Sequence, residues 1–269
     1  NSDTDLINAK AGNTPDVPRG VEIKQGDEAP AGIVVAKDKD DKDTTFPEGT
    51  KVTWEKAPDV TNNGHATGKV TVTYPDKTTD TVDVTVNVVP SDADKNDVKA
   101  ADGVTTNLNK VPAAKDSVTV TDPDKKPVTD FEANWKKEPD VSKPGKSTGT
   151  VEVTYPDGSK ETVEVPVTVR DANGHTQADT NTPEAGKVTV NKGETPSAQS
   201  AISNNKDLPE DTKYEWKEPI ETTKPGDKTG TVVVTYPDGS SEEVPGVTVH
   251  VNSDTDLINA KAGNTPDVP

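Results

Sequence analysis

The 269-residue chain contains no cysteine and no methionine. The first absence excludes a disulfide framework and cysteine-ligated zinc, two devices by which small domains offset a thin core. The second leaves little for an oxidant to attack. Aromatic residues make up only 3% of the chain, so each one carries much of any core it joins. The only arginines, Arg19 and Arg170, stand far apart in sequence, and the net charge is −18. A phosphate-binding surface needs clustered Lys and Arg, so nucleic acid is excluded as a partner. No apolar run approaches membrane-spanning length, and no charged-then-apolar leader opens the chain, so membrane insertion is not expected. The chain reads as an internal segment of a larger exterior protein.

Low hydrophobicity (28%) with high net charge would by itself suggest disorder. The apolar residues are, however, gathered in alternating runs such as Val163, Val165, Val167 and Val169. That period of two belongs to half-buried strands. The composition therefore predicts thin, valine-rich sandwiches.

What is present is a repeat. Tyr-Pro-Asp occurs at 74–76, 155–157 and 236–238, an interval of 81 residues each time (155−74 and 236−155). Trp54, Trp135 and Trp216 keep the same interval, as do Gly68, Gly149 and Gly230. A tryptophan and a turn locked in register over such a period indicate tandem domains. The expected divisions are 1–89, with a lead-in segment at 1–20, then 90–170 and 171–251. Residues 1–18 recur without change at 252–269. The last stretch therefore reads as the start of a further unit with no complete domain, and is expected to be poorly ordered.

Each unit is read in the same way. The lead-in segments 1–20, 91–103 and 171–187 are rich in Asp, Asn, Thr and Ala and read as linkers. Strands are expected at Val21–Ile23, Val104–Thr106 and Val188–Val190, then turns at Gly26, Asn109 and Gly193, residue types that tolerate positive φ. Thr195-Pro196 resembles a helix start and predicts a helical turn or two there, with little other helix. The Trp strand follows, then loops at 58–67, 139–148 and 219–229, then a hairpin. In Pro-Asp-Gly the proline presets φ, Asp closes the turn and Gly takes the left-handed position. Lys77 replaces that Gly in the first unit and should strain the turn modestly. Pro245-Gly246 reads as a bulge near a sheet edge.

These residues resemble a known family. Val233-Val-Thr-Tyr-Pro-Asp-Gly-Ser240 followed by alternating valines is similar to the Rib repeats of Gram-positive surface proteins, which lactobacilli and streptococci carry. So are Gly193-Glu-Thr-Pro196, Leu208 through Trp216, and Lys224-Pro-Gly226. The resemblance covers nearly the whole chain as three copies. It implies an all-β fold of three tandem immunoglobulin-like sandwiches with reduced strand number, arranged as an elongated rod. It also implies an extracellular location on a bacterial cell wall, with peptidoglycan reached through an anchor outside this segment.

Candidate chemistry is sparse. His65, His175 and His250 fall in a loop, a linker and a strand, three inequivalent places, and no Ser or acid recurs in a triad-like relation to them. The acidic run Asp38–Asp43 departs from the EF-hand template at Lys42 and lacks its glycine. Asp-rich stretches such as Ser91–Asp94 read as solvated linker rather than as calcium sites. The tryptophans read as core rather than as sugar-stacking platforms. No Lys–Asn pair recurs in register, as an isopeptide link would require. No catalytic, cofactor-binding or metal-ligating residue is assigned, no cofactor is expected, and the chain is not read as an enzyme. The expected function is a monomeric structural stalk whose partners are the neighbouring domains of the same chain. The alternative is a repeated low-affinity adhesin module for host glycans or matrix proteins, a host ligand otherwise being bound by other regions.

Overall fold

The computed structural model describes residues 1–269. The chain divides into two compact units that share the middle repeat. One comprises Asn1–Lys99, Val118–Asn134 and Val151–Val163; the other comprises Ala100–Ser117, Trp135–Thr150 and Glu164–Pro269.

Within the first unit lies the whole first repeat. Its main sheet has four strands in the order Asp16–Pro18, Thr79–Val89, Gly64–Thr73 and Lys51–Lys56. The two long strands form the expected hairpin around Tyr74-Pro-Asp. Alternation places Val70 and Val72 from one strand, and Val82, Val84, Val86 and Val88 from the other, on a single buried face. A smaller sheet of Asn8–Ala11, Val34–Lys37 and Asp43–Thr44 supplies the opposing layer, and its Ala9 and Val34 join the same core as Trp54 and Tyr74. The short strand Asp16–Pro18 pairs in parallel with the end of the closing strand, Val17 opposite Val88.

The second unit holds the third repeat. Its sheet has the same order, namely Lys187–Val190, Ser241–Val251, Gly226–Thr235 and Lys213–Trp216. The opposing layer is irregular here. Ala198, Ala201, Ile202 and Leu208 come from the irregular stretch on either side of a short 3-10 helix, Asn205–Asp207, and close over Val232, Val234 and Val247. The middle repeat's strands follow the same order, Glu132–Lys137, Gly145–Thr154, Lys160–Val169 and Thr105–Thr106. The architecture is thus all-β, as three immunoglobulin-like repeats with few strands each.

Several local expectations are corrected. The hairpin strands start at Gly64, Gly145 and Gly226, inside the stretches read as loops, so His65 lies on a strand. In the first repeat the parallel strand is Asp16–Pro18 and not Val21–Ile23, because Arg19-Gly20 already turns the chain, with Gly20 at φ 76°. No α-helix forms after Thr195-Pro196. Residues 198–201 make hydrogen-bonded turns instead, and the α-helical turns lie in the lead-in segments. Pro245 and Gly246 do form a bulge, opposite a register shift between Gly230 and Val232, but in an inner strand. Proline is tolerated there because the bulge leaves no ladder bond for it to donate.

The Tyr-Pro-Asp turns conform. Gly158 and Gly239 take φ of 86° and 87°, and Lys77 is held at 73° in the same place. The expected turns at Gly26, Asn109 and Gly193 also have positive φ.

Candidate functional site

The lead-in segments are not linkers. Each contains a one-turn helix, Asp3–Leu6, Asp92–Lys95 or Gln177–Thr180, and the repeated stretch 252–269 contains a fourth, Asp254–Leu257. A Ser or Thr sits at the N-cap and an Asp three residues on. In the second, Ser91 N–H donates to Asp94 Oδ2 at 3.0 Å and Asp94 N–H donates to Ser91 Oγ at 3.1 Å. This reciprocal box satisfies helix-end donors and lets a very short helix persist. Ser-x-x-Asp was legible in the sequence, but its polar composition also fits a linker.

The Asp of each Tyr-Pro-Asp turn receives the helix of its own repeat. Asp76 Oδ2 accepts from Asp3 N–H at 2.7 Å, Asp157 Oδ2 from Asp92 N–H at 2.8 Å, and Asp238 Oδ2 from Gln177 N–H at 2.8 Å. The other oxygen of each carboxylate accepts from the backbone N–H two residues on, at Thr78, Ser159 or Ser240. The hydroxyls of those three residues in turn accept the next helix N–H, from Thr4, Ala93 and Ala178. One carboxylate therefore closes the hairpin turn and caps the helix. The hydroxyl of Thr78 and the Asp3 N–H hold Asp76 below the usual carboxylate range. At Asp157 burial pushes the other way, and the hydrogen bonds from Ser159 and Asp92 prevail.

The tyrosine of the motif has a partner that sequence reading missed. Tyr74 Oη donates to Asp80 Oδ2 at 2.6 Å, and Tyr236 Oη donates to Glu242 Oε1 at 2.7 Å, six residues on in both cases. Glu161 occupies that position in the middle repeat. There Tyr155 Oη and Glu161 Oε2 are buried without a hydrogen bond of good geometry, and burial raises the Glu161 carboxyl. All three phenols are pushed up, chiefly by burial.

Consecutive repeats meet at these helices. Only Pro90 separates the strand ending at Val89 from the N-cap Ser91. The capping-box Asp94 also accepts from Arg19 Nε of the first repeat at 2.7 Å, and the guanidinium holds its carboxyl down at about 2. Gly158 packs against Val21 of the first repeat, where an added Cβ would stand 3.4 Å from Val21 Cγ1. A crevice of about 610 Å³ lies at this junction, lined by Arg19, Val21, Asp94 and Lys160 among others. At the next junction Thr168 Oγ1 donates to Asp238 O at 2.8 Å, and a Cβ on Gly239 would come within 3.1 Å of that hydroxyl. The connection there is longer, Arg170 to His175, and Asp171 Oδ1 closes it by accepting from Asn173 and His175 N–H. Past the third repeat, His250 Nδ1 lies 2.7 Å from Asp227 and its Nε2 lies 3.2 Å from Asp256, the capping-box acid of the last helix. These two carboxylates raise the imidazole above its ordinary value, Asp227 contributing most.

The other candidates have structural neighbours. Trp54 is buried at 2% exposure in the core of its repeat, Trp216 packs against the core of its own, and Trp135 and Trp216 are partly buried. Their Nε1–H groups donate to Pro112 O and Pro196 O, at 2.7 and 3.0 Å. Each tryptophan ring lies over the glycine that shares its interval. Asp38–Asp43 forms a hairpin tip in which Asp38 Oδ1 accepts from Asp40 and Lys42 N–H, and Asp43 pairs with Lys37. No group of three or more His, Asp or Glu side chains is gathered so as to hold a metal ion. His65 is exposed on the strand Gly64–Thr73, and His175 is exposed in the connection that precedes the helix Gln177–Thr180. No helix is long and apolar enough to cross a membrane.

Comparison with known proteins agrees with the sequence motifs. The C protein alpha-antigen of Streptococcus agalactiae serotype Ia is 34% identical over 97% of this chain, which spans 28% of that protein. A solved Rib structure from Streptococcus pyogenes is 35% identical over 29% of this chain and all of its own, with a TM-score of 0.28. The Rib domain family is matched three times in succession, over residues 7–90, 92–171 and 177–253. On that threefold match, which takes in most of its length, the chain belongs to the Rib domain family.

Proposed function

We propose that the chain is a spacer segment of a surface protein displayed on a Gram-positive cell wall, with domains at 1–89, 90–170 and 171–251. The observation that carries this reading is where each domain is entered and left. The lead-in helix is bonded to the Tyr-Pro-Asp turn, at the start of the closing strand. The chain leaves from that strand's far end, at Val89 or Val251. An eleven-residue strand rising about 3.3 Å per residue separates the two points by roughly 35 Å. Each domain therefore adds its length instead of folding the chain back.

At the first junction, the single-residue connection at Pro90 and the contact of Arg19 with Asp94 support firm joining of consecutive repeats. The relation to a streptococcal antigen supports surface display. The net charge of −18 supports solubility and hinders association between neighbouring acidic domains. Small-angle scattering of residues 1–251 at low and high salt tests the reading. A maximum dimension near three domain lengths, little changed by salt, is expected. A broad, salt-sensitive distribution would instead favour independently displayed modules with weak repeated binding sites.

A further inference from the structure

In every repeat the segment by which the chain enters lies beside the strand by which it leaves. Asp16–Pro18 runs parallel to Asn87–Val89, Thr105–Thr106 to Thr168–Val169, and Lys187–Val190 to Thr248–Val251. Backbone bonds bracket each pair. At one end Asn87 N–H donates to Pro15 O at 2.9 Å, Thr168 N–H to Val104 O at 2.8 Å, and Thr248 N–H to Gly186 O at 3.1 Å. At the other end Arg19 N–H donates to Val89 O at 2.8 Å, Arg170 N–H to Thr106 O at 2.8 Å, and Asn252 N–H to Val190 O at 2.9 Å. Each pair is also dry. Val17 and Val88 are buried at the first, Thr106 and Val169 at the second, and Val190, Val249 and Val251 form an apolar cluster of their own at the third.

We propose, on the spacer reading, that these parallel pairs are mechanical clamps and that each repeat is a load-bearing module that carries tension along the chain. The lead-in helix is held at the Tyr-Pro-Asp turn, and the chain leaves from the far end of the closing strand. Tension therefore draws Asp16 back towards the entry and Val89 on towards the exit. The two strands are loaded along their own axes in opposite directions. Their hydrogen bonds lie across the pull and must fail together, whereas strands drawn apart sideways lose their bonds one at a time. Burial keeps water from replacing the bonds as they stretch, and a hydrogen bond is stronger in a dry surrounding. In the first repeat Asn87 Nδ2 also donates to Asp16 Oδ1 at 2.9 Å across the same pair. Forced unfolding is governed by the unfolding rate and not by equilibrium stability. A bond at the clamp should thus weigh more in force than in a denaturant titration.

Because the chain has no cysteine, handles for single-molecule force spectroscopy can be attached at chosen positions of the full chain. Handles at Asn1→Cys and Pro90→Cys load the first clamp along its strands. Handles at Glu22→Cys and Pro90→Cys sit at one end of the repeat, since Glu22 and Ser91 line the same crevice, and peel the pair sideways. The expected result is a clearly higher unfolding force in the first geometry. A second comparison removes one clamp bond. Arg19 is the second residue of the turn Pro18–Val21, with Gly20 at φ 76°, a place that favours proline. Arg19→Pro therefore deletes the donor to Val89 O without straining the turn. Arg19→Ala keeps that donor and, like the proline, removes the side-chain contact with Asp94. Pulled by its ends, the chain should show three unfolding events, each releasing roughly 250 Å of chain for a repeat of 81 residues. Relative to Arg19→Ala, Arg19→Pro should lower the force of one event and leave the other two unchanged. Equal forces in the two handle geometries overturn the proposal, as do three events in Arg19→Pro that match those of Arg19→Ala. If Arg19→Pro fails to fold its first repeat, the handle geometries decide. Neither force depends on how firmly consecutive repeats are joined, so the clamp and the spacer reading, tested by scattering, can fail separately.

Discussion

Gly149 illustrates why a tryptophan and a glycine keep the same interval. A Cβ there would stand 2.6 Å from Trp135 Cζ3 and 2.8 Å from Lys137 O, and backbone cannot give way cheaply. Gly149→Ala should therefore destabilise the middle repeat by about 1–3 kcal/mol, in the range of overpacked sites. Each repeat has one tryptophan, so denaturation followed by fluorescence in a chain retaining Trp135 alone reads that loss directly; an unchanged midpoint would refute it. The tyrosines give a graded comparison. Tyr74→Phe and Tyr236→Phe each remove a hydrogen bond to a carboxylate and should cost roughly 1–3 kcal/mol. Tyr155→Phe should cost clearly less, because its hydroxyl has no well-formed hydrogen bond to lose. Equal losses at all three positions, measured by denaturant titration of each repeat, would contradict that ranking.

At the level of elements, the lead-in helices are the critical parts. Asp157→Ala removes the acceptor of the Asp92 N–H and the acceptor that closes the hairpin turn. Amide exchange at residues 92–95 should accelerate well before the strands 145–154 and 160–169 lose protection; unchanged exchange at the helix would count against its docking. The junction contacts respond to pH with opposite signs. Asp94 is lowered from an ordinary value of 3.8 to about 2, so its contribution is full above 3.8 and is lost as pH falls toward 2. That contribution is small, because Arg19 is 39% exposed and solvent screens the pair. His250 is raised above 6.5, chiefly by Asp227 and then by Asp256, so its hold on these carboxylates is present below that pH and lost as pH rises through the raised value. NMR titration should therefore show the first contact releasing in acid and the last releasing toward alkaline pH; movement in the same direction would contradict the assignment. The long hairpins and their turns were legible in the sequence because alternating valines and Pro-Asp-Gly act locally. The docked helices were not. Their residues are polar, and the Asp76 and Asp157 that hold them lie 73 and 65 residues downstream. Nor does local sequence reveal that Tyr74 and Asp80, on opposite sides of a turn, share a hydrogen bond.

For the whole molecule, the proposed spacer role requires each repeat to add a fixed length through a firm junction. The absence of cysteine makes site-directed spin labelling clean. Asp83 and Glu164 are exposed, lie 81 residues apart and occupy equivalent places in the closing strands of the first two repeats. With a cysteine-borne label at each, double electron–electron resonance measures the distance between consecutive repeats. A firm junction predicts a narrow distribution centred at about 35–40 Å, one strand length plus a short connection, unchanged between low and high salt. A broad distribution that contracts with salt would show flexibly joined domains and contradict the spacer.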